Sequence, residues 1–187
     1  MLVTGGAGVV GHYAIQLATW AGARVITTVS SAAKAAHARA AGADVVINYR
    51  TEDVAARIKA VCGGGGGGGG GGGVDRIVEV DFGKNLPVSA QVLNNNGVIA
   101  CYASTSIPRP RYPYPEMLWR NPLVRQVFVY TMPDEAKRQA HADIARWLSE
   151  AQPVFAIAER FPLSDVVAAH QAVEKGEKIG HVILDLA

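Results

Sequence analysis

Hydrophobic positions along this chain follow two alternating periods. Short unbroken apolar runs recur, and after each one apolar residues return every three or four positions. Leu2 to Thr4 is such a run and closes on glycines. Val9 to Ala21 then places Val10, Ala14, Leu17, Ala18 and Ala21 on one helical face, and Gly22 stops the helix. "RVITTV" (24–29) is β-branched throughout, as a strand buried on both faces should be. Ser31 to Ala41 is alanine-rich and ends at Gly42, which reads as helix, and "DVVINY" (44–49) is the next strand. Thr51 is expected to cap a helix whose first turn holds Glu52 and Asp53, where negative charge suits the helix dipole.

The rhythm resumes after eleven consecutive glycines (63–73). "DRIVEV" reads as a strand, "LPVSAQVL" as a short helix, and "GVIACYA" and "VRQVFVY" (124–130) as strands flanking a proline-rich loop, 105–122. Pro133 opens a long helix reaching about Ala151, with Ile144, Trp147 and Leu148 on its apolar face. A tail follows: a strand at 154–160, a helix from Ser164-Asp165 to Gly176, and the strand "HVILDL". Strands separated by helices of about ten residues predict an α/β fold with a doubly wound parallel sheet, a Rossmann fold, carrying a short C-terminal appendage. Residues 1–152 form the nucleotide-binding unit in this reading, and 153–187 the strand–helix–strand tail.

Two glycine stretches compete for the functional role. In a parallel sheet, ligands bind beyond the carboxyl ends of the strands, at the turns that open helices. Gly6-Ala7-Gly8-Val9-Val10-Gly11 occupies the first such turn and fits G-x-G-x-x-G. Its early glycines allow a tight turn and close approach to a pyrophosphate. The exposed amides, with about half a positive charge from the helix dipole, hold the anion. The run 63–73 lies instead in a helix-to-strand connection at the opposite edge of the sheet. Without side chains it cannot be preorganised around a ligand, so it reads as a slack surface loop. A nucleotide-triphosphate loop is disfavoured, because His12-Tyr13 follows Gly11 where Lys and Ser/Thr are needed.

The second strand decides the cofactor. An NAD site usually ends that strand with an acid for the ribose hydroxyls, and here no Asp or Glu precedes Asp44. Ser30, Ser31 and Lys34 offer hydroxyls and a cation where a 2′-phosphate would lie, which favours NADP.

Composition narrows the remaining classes. Of 187 residues, 49% are hydrophobic and 18% charged, with a formal net charge of +2, so a globular core is expected and nucleic-acid binding is not. No apolar run approaches the ~20 residues of a membrane span. Cys62 and Cys101 read as small buried hydrophobes of a reduced, cytoplasmic protein. The five histidines (12, 37, 141, 170 and 181) are scattered without metal-ligand spacing and read as surface or helix residues. No metal and no catalytic side chain is assigned.

"VTGGAGVVGHYAIQLA", "AAGADVVINYRTEDV", "VDRIVEVDFG", "GVIACYAS" and "FPLSDVVAAHQAVEKGEKIGHVILDL" together resemble the coenzyme half of the zinc-independent quinone oxidoreductases. These belong to the medium-chain dehydrogenase/reductase superfamily. The resemblance implies NADPH-dependent, metal-free reduction of a small quinone or enone. It implies that Lys34 and Tyr49 contact the 2′-phosphate and adenosine ribose. Asp81-Phe82, Tyr102-Ala103-Ser104 and Val129-Tyr130 would lie near the ribose and nicotinamide. The same positions follow strands four, five and six at the ligand-binding edge. Two departures stand out: Val9 where the family usually has a third glycine, and His181 in place of a lysine. The family's N-terminal domain, which covers the nicotinamide, is expected to lie outside this chain. That leaves a catalytically silent binding or interaction module as the alternative.

"TGGAG" also opens extended short-chain dehydrogenases, but no tyrosine here has a lysine four residues later, so that reading is minor. "IPRPRYPYPEMLW" (107–119) reads as an extended loop at the ligand edge rather than a polyproline ligand. An exposed edge strand at 124–130 would invite a homodimer.

Overall fold

The computed structural model describes residues 1–63 and 72–186. The glycines expected to be slack at 63–73 therefore fall mostly outside the described residues. Six strands form one parallel sheet: β1 (Leu2–Val3), β2 (Ile26–Val29), β3 (Val45–Asn48), β4 (Val74–Glu79), β5 (Leu93–Cys101) and β6 (Leu123–Gln126). Their order is β3-β2-β1-β4-β5-β6, so the direction of winding reverses at β1 and the loops after β1 and β4 diverge there. The doubly wound class expected from the alternating periods is the one observed.

Helices cover both faces: α1 (Val9–Trp20), α2 (Ala32–Ala40), α3 (Val54–Cys62), α4 (Phe82–Val92), α5 (Tyr114–Arg120) and α6 (Asp134–Glu150). One core packs Leu2, Ile26, Ile47, Ile77 and Ile99 under α3 and α4. The other packs Val3, Ile15, Val25, Val29 and Ala38 under α1 and α2. Consecutive strand residues serve opposite cores, which is why Val25, Ile26, Thr27, Thr28 and Val29 are all buried without alternation.

Several boundaries differ from the sequence expectation. Asp53, not Thr51, caps α3, its carboxylate accepting the Ala56 N–H at 3.0 Å. The proline-rich loop contains the seven residues of α5. The strand expected over 124–130 stops at Gln126, because β5 provides ladder partners only as far as Cys101. Beyond it the chain turns through a 3₁₀ segment, Val129–Thr131.

The tail forms a separate parallel pair, β7 (Ile157–Pro162) and β8 (His181–Asp185), joined through α7 (Val166–Glu174). It docks on α1, which corrects the expected face of that helix. Val10 is 52% exposed, whereas His12 and Gln16 are buried. His12 Nε2 lies 2.9 Å from the Val154 carbonyl, and the Tyr13 hydroxyl lies 2.8 Å from His181 Nε2. His12 thus sits on a helix as expected, though not at the surface, and stacks on His37 at 4.2 Å.

Candidate nucleotide-binding site

The glycine turn between β1 and α1 is built by steric exclusion. Gly5 adopts φ +66°, a left-handed conformation that favours glycine. A methyl group on Gly6 would strike the Thr27 hydroxyl, and one on Gly11 the Gly5 carbonyl. Gly11 therefore seats the start of α1 directly on the turn. The Gly5 N–H donates to the Thr28 hydroxyl at 3.2 Å and the Gly6 N–H to the Thr28 carbonyl at 3.1 Å, tying the turn to β2. Gly8 caps α1 without a side-chain hydrogen bond, which leaves first-turn amides without intrahelical acceptors. Val9 does not crowd this turn. It faces a separate cavity with Val173, His181 and Val182 of the tail.

Two adjoining cavities open beside the turn, and Gly5, Thr28 and Tyr49 line both. The larger, about 360 Å³, is mainly apolar and runs between α3 and α4 past Leu2, Val54 and Val88. The smaller, about 220 Å³, has walls that include Ser30, Lys34, Gly176 and Lys178. The charged residues on its described lining are both lysines. Ser31 stands back from it, its hydroxyl accepting the Lys34 N–H at 3.3 Å as the cap of α2.

At the carboxyl ends of β5 and β6, beside the start of α4, a cavity of about 440 Å³ is lined by Phe82, Tyr102, Ala103 and Ser104 together with Val127 and Phe128. The Ser104 hydroxyl is committed, accepting from the Gly83 N–H at 2.9 Å and donating to the Ile107 carbonyl at 2.8 Å. Asp81 lines the apolar cavity instead and accepts the Ser106 N–H at 3.1 Å. Val129 and Tyr130 lie on the 3₁₀ turn, with Tyr130 79% exposed, and line none of these cavities.

Beneath the rim, Glu79 is fully buried at the end of β4. Its Oε1 accepts from the Thr4 hydroxyl at 2.9 Å, the Asp81 N–H at 2.7 Å and Asn85 Nδ2 at 2.7 Å, which ties β1 and β4 to α4. Its Oε2 has no partner among the described residues. Burial, and then the charge of Glu79, push the Tyr102 phenol up to about 12, so it stays protonated at neutral pH. Burial likewise raises the Cys101 thiol, which makes that thiol a poor nucleophile.

Thr28, Glu79 and Lys178 are additions that the sequence reading did not single out. Among the described residues no three His, Cys, Asp or Glu side chains gather as metal ligands.

Residues 9–146 match the family described as zinc-binding dehydrogenase. The chain belongs to that family. It is 49% identical to quinone oxidoreductase 1 of Escherichia coli (strain K12) over 193 residues, covering 95% of this chain and 54% of the relative. The solved structure of Escherichia coli quinone oxidoreductase complexed with NADPH superposes with a TM-score of 0.82 at 26% identity, over 99% of this chain and 56% of that one. A mycobacterial protein, Rv1454c complexed with NADPH, superposes with a TM-score of 0.78 at 32% identity, over 98% of this chain and 55% of that one. The family member described here thus spans about half the length of the relatives it matches. It corresponds to the coenzyme-binding half of the medium-chain quinone oxidoreductases.

Proposed function

We propose that this chain binds NADPH and serves as the coenzyme half of a reductase for quinones or other electron-poor alkenes. The observation that carries the reading is the uncapped glycine turn beside a cavity whose charged lining residues are lysines. The turn suits a diphosphate, and Ser30 and Lys34 suit a phosphate on the adenosine ribose. Tyr49 offers a ring for the adenosine, and the Lys84 ammonium stands 6.0 Å from its centroid. Bound NADPH would supply the hydride from its nicotinamide ring. Phe82, Tyr102, Ala103 and Ser104 would position that ring and shield it from water. No side chain is assigned to proton transfer. The small-molecule partner is a quinone or enone, and residues 153–187 would belong to the substrate domain of the whole protein. A cytoplasmic setting is part of this proposal; among the described residues no helix is long and apolar enough to cross a membrane.

Fluorescence titration with NADPH and NADH tests the reading. The unmodified chain should bind NADPH more tightly, and Lys34→Ala should remove most of that preference. Equal affinity for the two coenzymes in the unmodified chain would overturn it.

A further inference from the structure

Among the described residues Glu79 is the only acid that the core buries. It forms no salt bridge there, and its Oε2 has no hydrogen-bond partner. All three donors, from Thr4, Asp81 and Asn85, meet on Oε1. That network asks for one acceptor oxygen, which the amide of a glutamine would supply as well. The charge itself is therefore unused by the fold, and burying it unpaired costs stability.

The carboxylate stands between two cavities. Thr4, Asp81 and Asn85 line the larger apolar one. On the other flank, Cys101 is the ladder partner of Glu79, and the Tyr102 N–H donates to the Glu79 carbonyl at 3.2 Å. Cys101 and Tyr102 line the cavity in which the nicotinamide ring would lie. The field of the carboxylate reaches that cavity. After burial, it is what raises the Tyr102 phenol, and it adds to the burial that raises the Cys101 thiol. Asp81 is the other acid nearby, half-buried in the wall of the apolar cavity.

Hydride transfer creates a charge at this place. The hydride leaves C4 of the reduced ring with its electron pair and bonds to the quinone or electron-poor alkene, which then takes a proton from water. The uncharged dihydronicotinamide thereby becomes a pyridinium cation. Resting on the NADPH reading above, we infer that the Glu79 carboxylate stabilises the oxidised nicotinamide, so that this site holds NADP+ more tightly than NADPH. By linkage, the bound coenzyme is then a stronger hydride donor than the free one.

Calorimetric titration of the full chain with NADPH and NADP+ tests this. The unmodified chain should bind NADP+ about tenfold more tightly, the order expected of two unit charges acting across a protein wall rather than in contact. Glu79→Gln keeps the acceptor and removes the charge. It should weaken NADP+ about tenfold and leave NADPH unchanged. Asp81→Asn, at a better solvated acid, should change the ratio about twofold at most. NADPH as the tighter ligand of the unmodified chain, a result that needs no variant to fold, overturns the inference. An equal loss of both ligands in Glu79→Gln does so too, and either result leaves a preference for NADPH over NADH standing. If the unmodified chain binds neither phosphorylated coenzyme, the NADPH reading fails first and takes this inference with it.

Discussion

The Gln16 carboxamide holds both backbone polar groups of Val154. The Val154 N–H donates to Gln16 Oε1 at 2.7 Å, and Gln16 Nε2 donates to the Val154 carbonyl at 3.1 Å. With His12 on the same carbonyl, helix α1 fixes the point where the tail leaves the main unit. Replacing Gln16 with Ala removes the acceptor of the Val154 N–H on a residue that water reaches, at a cost of about 0.5–1.5 kcal/mol. Hydrogen exchange at Val154 should accelerate in Gln16→Ala while β4 and β5 stay protected. Uniform protection in both proteins would show that this clasp holds nothing.

The glycine turn should discriminate between two alanine substitutions. Gly11→Ala drives a methyl group into the Gly5 carbonyl, and backbone cannot yield as a side chain can. Overpacking of that kind costs about 1–3 kcal/mol, and NADPH binding should fall with it. At Gly8 a methyl group would meet the Gly5 carbonyl at 3.3 Å, and the backbone is already extended at φ −74°. Gly8→Ala should therefore lose less stability in urea than Gly11→Ala, since the carbonyl has to give by only a few tenths of an ångström. Equal losses at the two positions would contradict this geometry.

Acid should loosen α1 and α2 together. Burial, and then the neighbouring His12, hold the His37 imidazole below its usual range. A depressed folded pKa means that the unfolded chain takes up the proton first. The stability it reflects is complete above about 6.5 and falls as pH drops toward the lower folded value. Urea unfolding at about pH 7.5 and 5.5 should show this loss, and His37→Asn should reduce it. An identical pH slope in the variant would remove His37 as the cause.

Strand β6 terminates the sheet, and Leu123 and Phe128 beside it are 58% and 60% exposed. A second copy pairing along this edge is the proposed dimer. Sedimentation should show concentration-dependent dimerisation that Phe128→Glu weakens. A monomer at all accessible concentrations would dismiss this interface.

The layered fold was legible because its signals are local. Gly22, Gly42 and Gly176, read as helix stops, all take positive φ. The glycine turn was legible for the same reason, since its spacing carries its geometry. The end of β6 was not, because "VRQVFVY" is uniformly strand-like and only pairing with β5 decides how much of it is used. The buried face of α1 was misassigned because a tail more than 130 residues away covers the flank that carries His12 and Gln16. Lys178 escaped notice on the same grounds: "GEKIG" is a surface loop until the fold brings it to Lys34.

Val80 Cγ1 stands 3.1 Å from where a side chain on Gly5 would begin, and Gly5 itself takes φ +66°. Both residues line the larger apolar hollow, so any side chain at position 5 would strain the backbone and press on the wall of that hollow in one stroke.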